Sequence, residues 1–188
     1  MKEIRIHGRG GQGSVVTAEL FAIAAHLSGR QSQAFPYLGG GGERRGAPVQ
    51  AFVRIDSKPI QLHNRIKNPD YIIVQDTTLL DVVDVSSGLK PGGIIIINSE
   101  GRPEDYTFAP GAAVQTVPAT GIALKIIGRP IMNTAMMGAF AAMTGEFTIE
   151  SIVLAIKEKF EGSVAANNIK AAEEAYRYCM ERKGEMAI

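Results

Sequence analysis

A chain of 188 residues with 45 % apolar and 21 % charged positions suits one domain spanning residues 1–188 and excludes long disordered tracts. Its formal net charge of +1 lacks the basic excess that attracts nucleic acid or an acidic membrane surface, so neither is expected as a partner. The single cysteine, Cys179, excludes an intrachain disulfide, a zinc ribbon and a multi-cysteine cluster site, which fits a reducing, cytoplasmic setting.

The opening MKEIRIHG enters a strand pattern directly, and no apolar run approaches the roughly 20 residues of a membrane span, so a soluble protein is expected. Residues 3–7 alternate and stop at Gly8, which reads as a first strand. From Ser14 to Ser28 the spacing places Val15, Ala18, Phe21, Ala22, Ala25 and His26 on one face of a helix that Gly29 closes. QSQAFPYL and PVQAFVRI read as strands separated by GGGGERRGA, with a turn at DSKP, and their proximity suits a hairpin within a mixed sheet. DYIIVQD and GGIIIINSE are short, almost wholly apolar runs, the mark of strands covered on both faces. AAVQTVPAT adds a strand, and from Thr120 onward the chain reads as helices broken at Gly128-Arg129-Pro130 and near Gly145. Strand, helix, then buried strands separated by helices predict a three-layer α/β/α domain with a mixed, mainly parallel sheet.

Two loops carry chemistry. In HGRGGQG, residues 7–13, Gly8, Gly10 and Gly13 have the G-x-G-x-x-G spacing of a dinucleotide loop, with Gly11 and Gln12 inside it. Glycines between a strand and a helix let backbone approach a ligand, and the helix N-terminus offers free N–H groups to an anion. A dinucleotide site also needs an acidic residue about 20 positions on, to hold the ribose. No Asp or Glu occurs between Glu19 and Glu43, and Arg30 precedes the second strand instead of ending it, so the NAD(P) reading fails that test. A tight turn with no ligand stays open. In the second loop Glu43, Arg44 and Arg45 follow four glycines; paired guanidinium groups suit carboxylate or phosphate, and the plain reading is a solvated or subunit-facing loop.

Asn133 and Thr134 stand at a helix start, where capping is the expected role and contact with the first glycine loop the other. Met132, Met136, Met137 and Met143 read as core or interface filler. His7, His26 and His63 have no metal-ligand spacing, Cys179 has no activating neighbour, and neither a nucleophile elbow nor an H-E-x-x-H motif is present.

HGRGGQG, QAFPYLGGGGERRGAPVQAFVRID (33–56), DYIIVQD, GLKPGGIIIINSE (88–100), ATGIALKIIGRPIMNTAMMGAF (119–140) and NNIKAAEEAY (167–176) occur in that order. Together they resemble the gamma subunit of the 2-oxoacid:ferredoxin oxidoreductases, in the pyruvate and ketoisovalerate branch, over almost the whole chain. HGRGGQG and ERRGAPV are specific in combination; the run Gly39–Gly42 departs from the shorter, apolar-containing link usual in the family.

The resemblance implies a complex in which thiamine diphosphate, with Mg2+, attacks a 2-oxo acid on other subunits and drives loss of CO2. Electrons then pass singly through iron–sulfur clusters to ferredoxin, and the remaining fragment leaves as an acyl thioester of coenzyme A. It implies alpha, beta and delta partner subunits, an accessory part for this chain in assembly and coenzyme A binding, and no catalytic residue of its own. Gly8, Arg9, Gly10, Gly11, Gln12 and Gly13 then form a ligand- or interface-facing loop. Arg9, Arg44 and Arg45 are candidate phosphate contacts, and Asn133 and Thr134 adjoin that loop. No cofactor is expected on this chain alone, and an isolated chain would pair as a homodimer in place of its partners. The other readings are a free-standing nucleotide- or coenzyme A-binding module, which predicts a monomer binding ligand unaided, and an NAD(P) oxidoreductase, which predicts NAD(P)H binding by the isolated chain.

Overall fold

The computed structural model describes residues 1–37, 44–62, 64–108 and 111–185. Strands β1 (Lys2–Arg9), β2 (Gln31–Tyr37), β3 (Pro48–Asp56), β4 (Tyr71–Val74), β5 (Ile94–Asn98) and β6 (Ala113–Val117) form one sheet in the order β2-β3-β1-β4-β5-β6. β2 pairs antiparallel with β3, and β3 with β1; the pairings β1 to β4, β4 to β5 and β5 to β6 are parallel. The expected hairpin and the mixed, mainly parallel α/β sheet are both present. Helices α1 (Ser14–Leu27), α2 (Ala119–Ile127), α3 (Asn133–Thr144), α4 (Ile149–Lys159) and α5 (Gly162–Glu185) complete the fold.

Alternation along β1 separates the two faces. Ile4 and Ile6, with Ala51, Val53 and Ile55 of β3, point toward the helices and are fully or almost fully buried. That core is filled by Met136, Met137 and an aromatic group in which Phe21 meets Phe140 edge-on at 4.9 Å and stacks on Phe147 at 5.3 Å. Met136 and Met137 therefore act as core filler, one of the two roles expected of the methionines.

The opposite face is covered unequally. Over β4 and β5, Ile72, Val74, Ile95 and Ile97 lie beneath Leu79 and Val85, which belong to the link between those strands. Where helices were expected between the buried strands, the described residues of the links hold only 3-10 turns, at Thr77–Leu79 and Pro103–Asp105. Aspartate and serine compete with helix by bonding to nearby backbone. Asp84 does so here, accepting from Ser86 N at 3.1 Å and Ser86 Oγ at 2.8 Å.

The face assigned to α1 is shifted from the expected one. Ser14, Thr17, Leu20 and Ala24 are buried with Ala18, Phe21 and Ala25, whereas Val15 and Ala22 are half-buried and His26 is exposed. Two hydroxyl residues belong to the buried arc because their oxygens are hydrogen-bonded inside it, which an apolar pattern does not register. A further break falls at Phe160–Glu161, between α4 and α5.

Candidate functional site

The carboxyl ends of β4 and β5 and the N-termini of α1, α2 and α3 meet around a cleft of about 920 Å3. This is where open α/β sheets place ligands, outside the C-terminal ends of parallel strands. Gly11, Gln12 and Gly13 supply one wall, Gln75 and Asp76 follow β4, Asn98, Ser99 and Glu100 close β5, and Thr120 and Gly121 open α2. Val16, Leu20, Leu124, Ile131 and Phe160 add apolar surface. The charged lining residues are Asp76 and Glu100, with no Arg or Lys among the described lining residues.

A buried hydrogen-bond network fixes the glycine loop. Ser14 Oγ donates to Gln75 Oε1 at 2.6 Å, and Gln75 Nε2 donates to Thr17 Oγ1 at 3.2 Å. Asn133 Nδ2 lies 3.0 Å from Gln12 O, 2.8 Å from Gly13 O and 2.8 Å from Thr17 Oγ1, tying the start of α3 to the start of α1. Gln12 accepts from Arg9 N through Oε1 and donates from Nε2 to Asp76 Oδ2, both at 2.8 Å. The expected capping role is not the one these side chains play. Met132 occupies the N-cap of α3 with no side-chain cap bond, Asn133 reaches the loop, and Thr134 Oγ1 donates to Asn168 Oδ1 at 2.9 Å. Both side chains are buried against protein groups, and those groups outbid the free N–H groups of their own helix.

The glycines have steric reasons to be glycine. A Cβ on Gly10 would stand 2.1 Å from Arg44 O, because the Arg44–Ala47 segment crosses there and exchanges Gly10 N→Ala47 O at 2.8 Å and Gly46 N→Gly10 O at 3.0 Å. Gly13 adopts φ +76, where L side chains are strained, and a Cβ would press on Asn133 Nδ2 at 2.7 Å. Gly8 is packed against Ser14 and Gln75.

Of the residues singled out from sequence, Gly11, Gln12, Gly13, Asn133 and Thr134 line the cleft; Gly8, Arg9, Gly10, Arg44 and Arg45 do not. Arg9 is held by protein groups, with Nη2 2.6 Å from Thr78 Oγ1, Nη1 3.0 Å from Gly46 O and Nε 3.4 Å from Asp76 Oδ2. Arg44 and Arg45 are exposed and border the outer side of the glycine loop through the Gly10–Arg45 bridge. Glu43 and the Gly39–Gly42 run lie outside the described residues, as does His63.

Gln75, Asp76, Asn98, Ser99, Glu100 and Thr120 were not singled out from sequence. For all but Thr120, which follows β6, the signal was present as polar residues at the ends of two buried apolar strands. Partial burial alone would raise the Asp76 carboxyl, but hydrogen bonds from Thr78 and Gln12 and the Arg9 guanidinium together hold it below the usual carboxylate range. Elsewhere, burial and then Arg5 push the His7 imidazole down to about 3, and burial pushes the Cys179 thiol up to about 12. Both are packed in the interior.

Residues 3–178 match the pyruvate ferredoxin/flavodoxin oxidoreductase family. The chain belongs to that family. It is 57 % identical over 157 residues to pyruvate synthase subunit PorC of Methanosarcina barkeri, covering 84 % of this chain and 85 % of that one. It is 52 % identical over 180 residues to the pyruvate/ketoisovalerate oxidoreductases common subunit gamma of Thermococcus kodakarensis, covering 94 % and 96 %. The crystal structure of pyruvate oxidoreductase subunit PORC from Thermotoga maritima superposes with a TM-score of 0.81 at 36 % identity, over 94 % of this chain and 95 % of that one. Within the family this chain is a gamma-type subunit, and so a part of an oxidoreductase.

Proposed function

We propose that this chain, as a single gamma-type domain, serves a cytoplasmic complex that oxidatively decarboxylates pyruvate to acyl-CoA, CO2 and reduced ferredoxin. Within it, the chain contributes to assembly and receives coenzyme A. The observation that carries the coenzyme A part is the cleft, where three helix N-termini and a mostly uncharged polar lining face a space with apolar walls. Asn98, Ser99, Thr120 and Gln12 suit amide, hydroxyl and base groups, and Val16, Leu124 and Ile131 suit the methylene stretches of a pantetheine arm. Asp76 and Glu100 oppose phosphate inside the cleft. The phosphates therefore belong at Arg44 and Arg45, exposed beyond the glycine wall.

Assembly is supported by Leu124 and Ile131, which line the cleft yet are 50 % and 43 % exposed, and by Val164, 53 % exposed and one turn from Asn168. Apolar side chains so placed suit a partner subunit. The complex's metal-dependent cofactors do not fit this chain. An iron–sulfur cluster needs several thiolates, Cys179 is buried and protonated, and no group of His, Cys, Asp or Glu among the described residues could hold the metal of a bound diphosphate. They are assigned to the alpha, beta and delta subunits. A relative named as common to pyruvate and ketoisovalerate oxidoreductases supports placing the choice of 2-oxo acid on those subunits too.

The test is coexpression with the other subunits, following pyruvate- and coenzyme A-dependent ferredoxin reduction. Losing one charge-assisted hydrogen bond to phosphate, about 1.5–3 kcal/mol, predicts that Arg44→Ala/Arg45→Ala assembles normally but raises the KM for coenzyme A about tenfold or more. Failed assembly makes the arginines interface residues; unchanged assembly and unchanged KM remove them from the site.

A further inference from the structure

On the face of the sheet opposite the helices, β1 and β3 carry Glu3, Arg5, His7, Phe52 and Arg54 where β4 and β5 carry isoleucine and valine. Two guanidinium groups are buried there, and they differ in one respect. Arg54, 1 % exposed, is fully served: Nε is 3.0 Å from Glu3 Oε1, Nη1 3.1 Å from Gln33 Oε1 and Nη2 2.7 Å from Asn64 O. Arg5, 6 % exposed, has no carboxylate within ion-pair distance among the described residues. Its Nη2 donates to Val85 O at 2.9 Å and Ser87 O at 2.5 Å, Nε is buried with no partner, and Nη1 has none among the described residues.

A buried cation held only by backbone carbonyls is costly unless an anion completes it. Burial lowers the Arg5 pKa, with Asp84 acting the other way. Arg5 lies on the floor of an open groove of about 420 Å3, with Arg65 and Lys67 exposed on its rim, Gln50 and Asn68 as neutral donors, and Asp84 as the carboxylate among its described lining residues. Arg65 is braced over the Tyr37 ring at 4.2 Å. Three cations against one carboxylate give the groove a positive field in a chain whose net charge is only +1.

We propose that this groove is a subunit-docking site that takes a carboxylate side chain of another chain of the complex, with Arg5 Nη1 as the donor to it and Arg65 and Lys67 as the steering rim. A carboxylate carried on a partner surface fits the groove because its two rim cations, Arg65 and Lys67, are exposed and complement an acidic surface around the docked side chain. The proposal rests on the gamma-subunit reading but uses the sheet face away from the coenzyme A cleft.

The experiment titrates the labelled full chain into the purified alpha, beta and delta subcomplex over a series of NaCl concentrations. Wild type binds with an affinity that falls as salt rises. Arg65→Glu/Lys67→Glu raises Kd about tenfold or more at low salt and flattens the salt dependence, and Arg5→Gln raises Kd by a similar factor while its circular dichroism stays that of wild type. If Arg5→Gln fails to fold, the rim variant alone decides, since both of its residues are exposed. Unchanged Kd and salt dependence in the rim variant overturn the proposal. Stabilisation of the wild-type chain, but not of Arg5→Gln, by inorganic phosphate or acetate with assembly unaffected overturns it in favour of a small-anion site. If the wild-type chain does not bind the subcomplex, the subunit reading fails and this one falls with it.

Discussion

Exchanging Asn133 for aspartate, a change of one atom, should destabilise the chain more than removing the side chain altogether. The Asn133 amide has two N–H bonds to share among Gln12 O at 3.0 Å, Gly13 O at 2.8 Å and Thr17 Oγ1 at 2.8 Å. Two bonds at a net 0.5–1.5 kcal/mol each put the loss in Asn133→Ala at about 1–3 kcal/mol. Gly13 O keeps Thr17 N at 3.0 Å and Thr17 Oγ1 at 3.1 Å, so Gln12 O is the carbonyl left short. In Asn133→Asp a carboxylate oxygen replaces the donor and faces both carbonyls at a buried position. That arrangement costs about 3–5 kcal/mol, against a helix-dipole gain of only about 0.3–1 kcal/mol. Urea unfolding at pH 7 measures both variants. The introduced carboxyl, surrounded by acceptors, has its folded pKa raised, so the folded state holds a proton the unfolded state has released. Stability should therefore recover as pH falls through that raised value. An aspartate variant as stable as wild type at pH 7 would mean that Asn133 acts as a helix cap and does not tether the loop.

Gly10→Ala puts a Cβ 2.1 Å from Arg44 O and 2.9 Å from Arg44 C; backbone must move, and the expected loss is about 1–3 kcal/mol. Gly29→Ala, at φ +75 but with nothing within 4 Å, should lose only the left-handed strain of roughly 1–2 kcal/mol, and thermal melting with the same coenzyme A assay separates them: Gly10→Ala alone should also raise the KM. A loss at Gly10 no larger than at Gly29, with an unchanged KM, would refute the close crossing. His7, with its folded pKa lowered from 6.5 to about 3, is neutral in the folded state where the unfolded chain is protonated. Stability should accordingly fall as pH drops below about 6.5 and keep falling toward 3, by up to about 1.4 kcal/mol per pH unit. His7→Gln should flatten that limb, and an NMR titration showing His7 protonating near pH 6 would contradict the burial.

The sheet was legible because its strands are written in two clear codes: alternation in KEIRIH, and unbroken apolar runs in DYIIVQD and GGIIIINSE. The α1 face was legible only in part. Ser14 and Thr17 are buried because Gln75 and Asn133 reach them, from positions 61 and 116 residues away in sequence. No local pattern announces a hydroxyl with a distant partner. Helices were expected between the buried strands, yet in the link after β4 Asp84 closes a turn with Ser86 instead.

The candidate site divides the same way. Gly11, Gln12 and Gly13 were visible as a loop between a strand and a helix, and they line the cleft. Arg9 was chemically apt for phosphate but is held by Thr78, Gly46 and Asp76, none of them near it in sequence. The cleft's carboxylates, Asp76 and Glu100, come from the ends of β4 and β5 and not from the position where a dinucleotide site would need one. Which strand ends share a cleft depends on strand order, and that order is a property of the assembled sheet.

Gly121 lines the cleft in the first turn of α2, where a Cβ meets only Glu100 Oε1 at 3.4 Å, so Gly121→Leu starts its side chain into the cleft without a backbone clash at Cβ. The most direct measurement is the KM for coenzyme A of the complex assembled with this variant, beside its subunit composition. A normally assembled complex whose KM rises about tenfold or more, the effect of withholding a few contacts worth about 1.4 kcal/mol in sum, is the expected result. An assembled complex with wild-type KM would contradict the assignment of coenzyme A to this cleft.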